Sequence, residues 1–172
     1  MWFDEFNTPI GKLTIAVDGS GLRYVLFENN KYDAAGRDDW QRDLSPTRTA
    51  REQLQQYFAG QRQSFDLQLS PVGTEFQQKT WAMLAQIPYG KTWSYSDLAN
   101  KIAAPKAVRA VGAANGRNPL PIILPCHRVI GRDGSLTGFG GGLAAKKWLL
   151  DHEGAPAQCM IEFSQKNHSP ER

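Results

Sequence analysis

Residues 122–130 of the chain read IILPCHRVI, and the thiol of Cys126 in this segment has neighbours that suit two interpretations. The leading apolar run predicts a buried segment, and Pro125 restricts the backbone just before the cysteine. His127 and Arg128 follow directly, and cations beside a thiol lower its pKa and populate the thiolate. A lone cysteine is most often a small buried hydrophobe, whereas a thiol that a rigid backbone holds beside a base has the arrangement of a nucleophile.

The composition of the chain bounds the classes of protein to which it can belong. Its 172 residues carry a net charge of +3 and are 41% hydrophobic, which suits one domain or two small ones and argues against disorder. There is no run of about 18 apolar residues, so we expect no membrane span, and the first residues do not resemble a signal peptide. Two cysteines, Cys126 and Cys159, are too few for a disulfide framework, so we expect reduced thiols and a cytoplasmic location.

Basic residues are concentrated in one part of the chain. Residues 79–147 hold ten Lys or Arg and only two Asp or Glu, a balance of +8, whereas residues 1–78 and 148–172 are both net acidic. Such a one-sided segment suggests an anionic partner, and nucleic acid is the first candidate. A solvated basic face is the alternative that charge alone leaves open.

Residues 1–70 have the pattern of a mixed α/β domain. The expected elements are a hairpin over residues 12–17 and 22–27, a helix that Ser45 caps and Gly60 ends, and a short strand over residues 65–69. Residues 71–74 are predicted to be a linker, because Ser70-Pro71-Val72-Gly73 favours an irregular backbone and the charge balance changes sign just beyond it.

Residues 75–155 are predicted to form a mostly helical second domain. Thr74-x-x-Gln77 has the pattern of a capping box and begins a helix, and Ser94-x-x-Asp97 begins another short helix. A tight turn at Ala103-Ala104 joins the second of these helices to a basic helix over residues 106–115, which is the outline of a helix-turn-helix. The remaining expected elements are a last helix over residues 143–152 and a polar tail over residues 156–172.

Three other patterns fall short of a cofactor or metal site. Gly90-Lys91-Thr92 resembles the end of a phosphate-binding P-loop, but Ala85 stands where the first glycine is required. The glycine-rich segment 138–142 lacks the spacing of a dinucleotide fingerprint. The paired spacing of structural zinc ligands is missing from the four candidate side chains, which are Cys126, His127, His152 and Cys159. We therefore expect no cofactor and no metal ion.

The Cys126 segment belongs to a longer pattern. Pro125-Cys126-His127-Arg128-Val129 is preceded by Asn118-Pro119 and followed by Gly141-Gly142-Leu143 and Trp148-Leu149-Leu150. Together these motifs resemble the O6-alkylguanine-DNA alkyltransferases, most closely the bacterial, non-inducible type, and the resemblance extends from residue 73 to residue 154. It implies an α+β fold, with a ribonuclease-H-like N-terminal domain and a C-terminal domain that contains a winged-helix-like helix-turn-helix. Residues 1–70 resemble the family only loosely.

The resemblance implies irreversible transfer of the O6-alkyl group of a flipped guanine in double-stranded DNA to Cys126, once per molecule. His127 would be a base that acts through a water molecule, which suits neighbours that point to opposite faces of an extended chain. Glu153 would orient His127 and balance its charge, and Asn118 would order the turn that carries the site. Tyr95 would donate a proton or a hydrogen bond to the leaving guanine. Activity on O4-alkylthymine stays open.

The resemblance also implies residues for the pocket and for DNA. The substrate-binding residues would be Tyr95, Asn115, Val129, Phe139 and Gly140. The residues at the minor groove of DNA would be Lys106, Ala107, Arg109, Ala110 and Ala114, with Arg109 filling the space that the flipped base vacates. Gly140 stands where animal members have a serine, and Asn115 replaces a bulkier apolar residue, so the preferred alkyl size stays open. Residues 1–70 lack the zinc ligands that some members carry, since they hold no Cys or His.

Two functions of other classes remain as alternatives. A non-enzymatic regulator would use the helix-turn-helix to bind DNA and would not need Cys126. A cysteine hydrolase would need an oxyanion hole and would turn over repeatedly. For the alkyltransferase we expect a monomer that binds DNA and no membrane.

Overall fold

The computed structural model describes residues 1–155 and confirms the predicted α+β fold. In chain order the elements are β1 (Trp2–Thr8), β2 (Gly11–Asp18), β3 (Gly21–Phe27), β4 (Gln41–Arg42), α1 (Leu44–Phe58), α2 (Glu75–Leu84), β5 (Trp93–Ser94), α3 (Tyr95–Lys101), α4 (Val108–Gly116), β6 (Val129–Ile130) and α5 (Leu143–His152). Within residues 1–155, no helix combines the length and the apolar character that crossing a membrane would take.

The N-terminal sheet has the strand order β3-β2-β1-β4, and only the pair of β1 and β4 is parallel. The predicted hairpin is confirmed as β2 and β3. β1 was not predicted from the sequence, and its buried positions hold Asp4 and Phe6. A carboxylate at a buried position breaks the apolar-polar alternation by which strands are recognised. Arg51 at 2.5 Å and Arg42 at 3.3 Å pair with Asp4 and offset the cost of burying its charge.

Helix α1 packs on β1 and β2, and it begins two residues before the predicted start. Asp43 rather than Ser45 is the N-cap, because its carboxylate accepts a hydrogen bond from the Ser45 N–H in the first turn. The strand predicted over residues 65–69 is wrong. Only Leu69 pairs there, in an isolated bridge with Leu22, so the alternating apolar side chains of this segment cover the core without joining the sheet.

The helices of the second half begin close to their predicted caps. Thr74 and Ser94 are the N-caps of α2 and α3, where the sequence predicts helix starts. Each completes a capping box, which the sequence pattern indicated at Thr74. Ala103, in the predicted tight turn, has a left-handed φ of 59°. Helix α4 begins at Val108, two residues later than expected, because the backbone of Ala107 is not yet helical. Helices α2, α3 and α4 pack against one another, and α3, the turn and α4 have the helix-turn-helix outline.

The two halves share one hydrophobic core and meet along a seam beside Cys126. The N–H of Val25 on β3 donates to the carbonyl of Pro119 at 2.8 Å, and the N–H of Lys31 donates to the carbonyl of Gly140 at 3.0 Å. Each of these backbone hydrogen bonds stabilises the contact between the two halves. The N-terminal sheet therefore supports the segments of the second half that surround the cysteine.

Candidate active site

Cys126 lies at the start of a single turn of 3₁₀ helix, and its side chain is almost completely buried. The apolar run before it is buried, as predicted. Within that run Ile122 has a φ of 75°, a left-handed conformation that β-branched residues rarely adopt. Asn118 holds the segment at both ends: its Nδ2 donates to the Leu124 carbonyl at 2.7 Å, and its Oδ1 accepts from the Leu120 N–H at 2.9 Å. These bonds fix the position of the sulfur.

His127 and Glu153 form a buried pair next to the cysteine. Nε2 of His127 lies 2.8 Å from Oε2 of Glu153, and neither side chain is accessible to solvent. Burial lowers the pKa of His127, although Glu153 opposes this effect, so the imidazole is neutral at rest. Because Nε2 donates to the carboxylate, Nδ1 is an acceptor, and it has no partner among the described residues. The 3₁₀ turn replaces the extended chain that sequence analysis assumed between Cys126 and His127.

The carboxylate of Glu153 binds three side chains. Arg128 donates from Nε at 2.7 Å and from Nη2 at 3.0 Å, and the hydroxyl of Tyr57 donates at 2.6 Å; His127 is the third partner. Burial alone would raise the pKa of Glu153, but the hydrogen bonds from His127 and Arg128, together with the charge of Arg128, outweigh it and lower that pKa to about 2. Glu153 is therefore ionised and can balance a positive charge on His127.

The pKa of the Cys126 thiol is shifted opposite to the sequence-based expectation. Burial raises it, and the side chain of Asn118 and the charge of Lys146 oppose this only in part. Arg128 was expected to lower it, but this guanidinium is bound to Glu153 and, through Nη1, to the Ile87 carbonyl at 2.7 Å. The expectation is wrong because burial is the largest effect on the thiol and because Glu153 neutralises the neighbouring cation. The thiol stays protonated at neutral pH and needs a base before it can react.

Lys146 belongs to the site, and sequence analysis missed it. Its side chain is completely buried, and Nζ donates to the carbonyls of Val129 at 2.6 Å and Thr137 at 2.9 Å. Burial lowers the pKa of Lys146 to about 8. Beside Lys147 it looks like one of two exposed charges. The sequence signal that could have indicated its burial is the spacing of Lys146 from Leu149 and Leu150. Residues three and four positions apart lie on the same face of a helix, and here that face is buried.

Tyr57 is the second residue that sequence analysis missed at the site. It lies on the apolar face of α1 and is fully buried, as a core side chain would be. Its hydroxyl nevertheless reaches Glu153, which is 96 residues away in the chain. Burial and the charge of Glu153 raise the pKa of Tyr57, so this phenol stays a donor. No spacing pattern in the sequence could have shown a partner at that separation.

A pocket of about 210 Å³ opens beside Cys126. Asn115, Phe139 and Gly140 line it together with the thiol, so three of the five predicted substrate-binding residues come together there. The side chain of Asn115 is 3% exposed, and its Nδ2 donates to the Cys126 carbonyl at 3.4 Å. Oδ1 of Asn115 has no partner within residues 1–155, which leaves a buried acceptor in the wall of the pocket.

The other two predicted substrate-binding residues, Tyr95 and Val129, do not line this pocket. The hydroxyl of Tyr95 donates to the Thr137 carbonyl at 3.1 Å. The Val129 carbonyl accepts a hydrogen bond from Nζ of Lys146. Burial raises the pKa of Tyr95, and a negative charge on Cys126 would raise it further, which indicates that the two side chains are close. Tyr95 therefore keeps its proton near the thiol.

The residues predicted to contact DNA divide by their exposure. Four are accessible at the start of α4 and in the turn before it: Lys106, Arg109 and Ala110 are exposed, and Ala107 is half-buried. Ala114 is 3% exposed, so its prediction as a DNA contact is wrong. It lies on the face of α4 that packs against α2, and its carbonyl accepts a hydrogen bond from Nε1 of Trp81 at 2.8 Å.

Two domain models match the chain, and together they span both halves. Residues 3–71 match the ribonuclease-like domain of 6-O-methylguanine DNA methyltransferase, and residues 75–155 match its DNA binding domain. A Methanosarcina acetivorans relative, named methylated-DNA–protein-cysteine methyltransferase, is 48% identical over 155 residues, or 90% of this chain and 99% of the relative. The chain belongs to the 6-O-methylguanine DNA methyltransferase family. A Haemophilus influenzae member of the same name is 42% identical over 171 residues, or 99% of this chain and 94% of that protein.

Solved structures of 6-O-methylguanine DNA methyltransferases share this fold. The crystal structure of Mycobacterium tuberculosis OGT in complex with DNA has a TM-score of 0.85 at 45% identity, with 94% of this chain and 99% of that chain covered. The O6-methylguanine-DNA methyltransferase of the hyperthermophilic archaeon Pyrococcus kodakaraensis has a TM-score of 0.54 at 21% identity, with 90% and 99% covered. The second likeness bears on the fold alone.

Residues 1–155 of the chain contain no group of three His, Cys, Asp or Glu side chains that could hold a metal ion. Cys159, one of the four zinc candidates weighed from the sequence, lies outside the described residues. So does the polar tail that was predicted over residues 156–172.

Proposed function

We propose that this protein repairs DNA by moving the O6-alkyl group of O6-alkylguanine onto Sγ of its own Cys126. The observation that carries the proposal is the buried pair of His127 and Glu153 beside a pocket-lining thiol. That arrangement occurs in a chain whose relatives are named methylated-DNA–protein-cysteine methyltransferase. It supplies a nucleophile, a neutral base and a fixed counter-charge, which are the parts that attack on a saturated carbon needs.

The reaction follows from the protonation states of these groups. The Cys126 thiol passes its proton through a water molecule to Nδ1 of His127, and the carboxylate of Glu153 balances the imidazolium. The thiolate then attacks the alkyl carbon, so that a C–S bond forms while the bond from carbon to O6 breaks. Guanine leaves with the electron pair of that bond, and a proton from Tyr95 neutralises it. Asn118 holds the turn that carries the thiol throughout.

The substrate is proposed to be double-stranded DNA that the protein binds as a monomer from the minor groove. The exposed side chains of Lys106 and Arg109 supply positive charge at the start of α4, and Ala107 and Ala110 keep that surface small enough for a narrow groove. Extruding the base costs a few kcal/mol, which Arg109 offsets by filling the gap. Footprinting that shows protection of the major groove alone would refute this mode of docking. Attack requires a reduced thiol, which suits the cytoplasm.

Intact mass spectrometry tests the proposed function directly. After incubation with a duplex that contains O6-methylguanine, the protein should gain the mass of one methyl group less the thiol hydrogen that it replaces, and peptide mapping should place the methyl group on Cys126. Cys126→Ser should gain no mass but keep nearly all of its affinity for DNA, because phosphate contacts dominate binding. A regulator would bind without gaining mass, and a hydrolase would release product continuously. Either result would overturn the proposal.

A further inference from the structure

The N-terminal half forms one side of the pocket beside Cys126. Residues 24–33, which comprise the end of β3 and the segment after it, contribute much of the lining, and we call them the β3 wall. The ring of Phe27 in this wall lies 5.2 Å from the ring of Phe139, measured between centroids. A Cβ on Gly141 would meet the Phe27 ring at 2.7 Å, so the two segments are in close contact. The pocket is therefore built by both halves of the chain.

The lining of the pocket divides into a buried floor and an exposed rim. Cys126 and Asn115 are 5% and 3% exposed and belong to the floor. Tyr32 of the β3 wall is 36% exposed, and Arg117, directly after α4, is exposed as well. Cζ of Arg117 lies 3.7 Å from the centroid of the Tyr32 ring, so the guanidinium stacks on the ring at the rim. One partner of this stack comes from each half of the chain.

The backbone around Tyr32 is anchored, which keeps its ring at the rim. The N–H of Lys31 donates to the Gly140 carbonyl at 3.0 Å, across the seam. On the other side, Oδ1 of Asn30 accepts from the Phe27 N–H at 3.1 Å, while Nδ2 of Asn30 donates to the Tyr32 carbonyl. These contacts tie the residues before Tyr32 both to β3 and to the glycine-rich segment that lines the pocket.

We propose that the stacked pair of Tyr32 and Arg117 sets the upper size of the alkyl group that the protein accepts. The inference rests on the proposed function and adds the residues that determine its specificity. A flipped guanine and its O6 substituent must share a pocket of about 210 Å³ with the thiol. A larger substituent reaches the rim first, where the ring of Tyr32 and the guanidinium of Arg117 occupy space.

A competition between two duplexes measures the preference for alkyl size separately from the overall rate of transfer. A limiting amount of the protein is mixed with an excess of two duplexes at equal concentration, one with O6-methylguanine and one with O6-benzylguanine, and mass spectrometry gives the ratio of benzyl to methyl adducts on Cys126. Tyr32→Ala removes the ring and should raise this ratio about tenfold, the lower end of the range of about 10- to 200-fold by which a pocket discriminates one methylene group. Tyr32→Phe keeps the stack and should leave the ratio within about twofold of the wild-type value.

Arg117→Gln supplies a second, independent variant. It removes the cation that holds the Tyr32 ring, so the adduct ratio should move in the same direction as in Tyr32→Ala but by less. If Arg117 served only to bind phosphate, Arg117→Gln would lower both adducts equally and leave their ratio unchanged. An unchanged ratio of benzyl to methyl adducts in Arg117→Gln would overturn the proposed size limit. So would an unchanged or lower ratio in Tyr32→Ala. A wild-type protein that forms neither adduct would instead contradict the proposed function itself.

Discussion

Glu153 gathers donors from both halves of the chain, and this makes its ionisation a source of pH-dependent stability. The folded protein lowers the pKa of Glu153 from its ordinary value of 4.5 to about 2. Between those pH values the unfolded chain binds more protons than the folded one. Glu153 should therefore make its full contribution to the free energy of unfolding above pH 4.5. That contribution, about 3 kcal/mol, should be lost as the pH drops to about 2. Urea unfolding at closely spaced pH values from 6 to 3 measures this slope.

A variant at the same position separates Glu153 from the other carboxylates. Glu153→Gln keeps the size of the side chain but has no proton to bind in this range. Its unfolding free energy should start lower, because Arg128 loses its counter-charge, and it should depend less steeply on pH below 4.5. Equal slopes in the two proteins would show that Glu153 does not carry the effect.

Individual residues differ in how far the sequence could predict them. Cys126 could be located because its motif is contiguous, and its burial follows from the apolar run before it. The direction of its pKa shift could not be predicted, because that depends on where the guanidinium of Arg128 points. Lys146 and Tyr57 contribute through a buried ammonium and a buried hydroxyl. Their partners are chosen by the tertiary fold, which local spacing does not encode.

Elements were predictable where a local interaction defines them. The helix starts after Thr74 and Ser94 are decided by residues three positions apart, and the structure confirms them. It also confirms the predicted bounds of α5. Strands are decided by their neighbours in space. β1 was missed because it buries Asp4. Residues 65–69 were misassigned because their apolar alternation reflects packing on the core, and only Leu69 pairs with a strand.

Helix α4 carries a prediction about base extrusion, because Arg109 is exposed in its first turn. Arg109→Ala should slow repair of duplex DNA by about 10- to 100-fold, the kinetic equivalent of the few kcal/mol that extrusion costs. Reaction with free O6-alkylguanine base needs no extrusion and should change by less than about threefold. Single-turnover rates with both substrates measure the difference.

Lys106→Ala is the matched control for Arg109, since it removes an exposed cation just before the same helix. It should weaken binding to DNA at all sequences and leave the rate at saturating DNA unchanged. If Arg109→Ala slows duplex and free base equally, the arginine has no special part in extrusion.

The whole molecule should act once and lose stability when it does. The thioether formed at Cys126 is not a disulfide that another thiol could exchange, so titration with excess lesion should reach a plateau at or below one alkyl group per chain. The added carbon enters a site that is 5% exposed, and overpacking of this kind costs about 1–3 kcal/mol. The methylated protein should consequently melt several degrees lower than the unmodified one. Calorimetry on both forms checks the shift.

Cys126→Ser controls for bound DNA in that experiment. Treated with the same lesion and then freed of DNA, it should melt at the same temperature as the untreated variant. Product formation that continues beyond one equivalent would mean hydrolysis, and an unchanged melting temperature after methylation would show that the site has room for the extra carbon.

The seam that joins Tyr57 to Glu153 and Val25 to Pro119 makes the catalytic apparatus divisible. If the peptide chain were cut between Val72 and Gly73, one polypeptide would hold Tyr57 and the β3 wall. The other would hold the thiol of Cys126, the imidazole of His127 and the carboxylate of Glu153. Each piece alone would lack part of the pocket. Reassociation would restore it through the shared core, and a covalent label left on the cysteine would then record, permanently, that the two pieces had met.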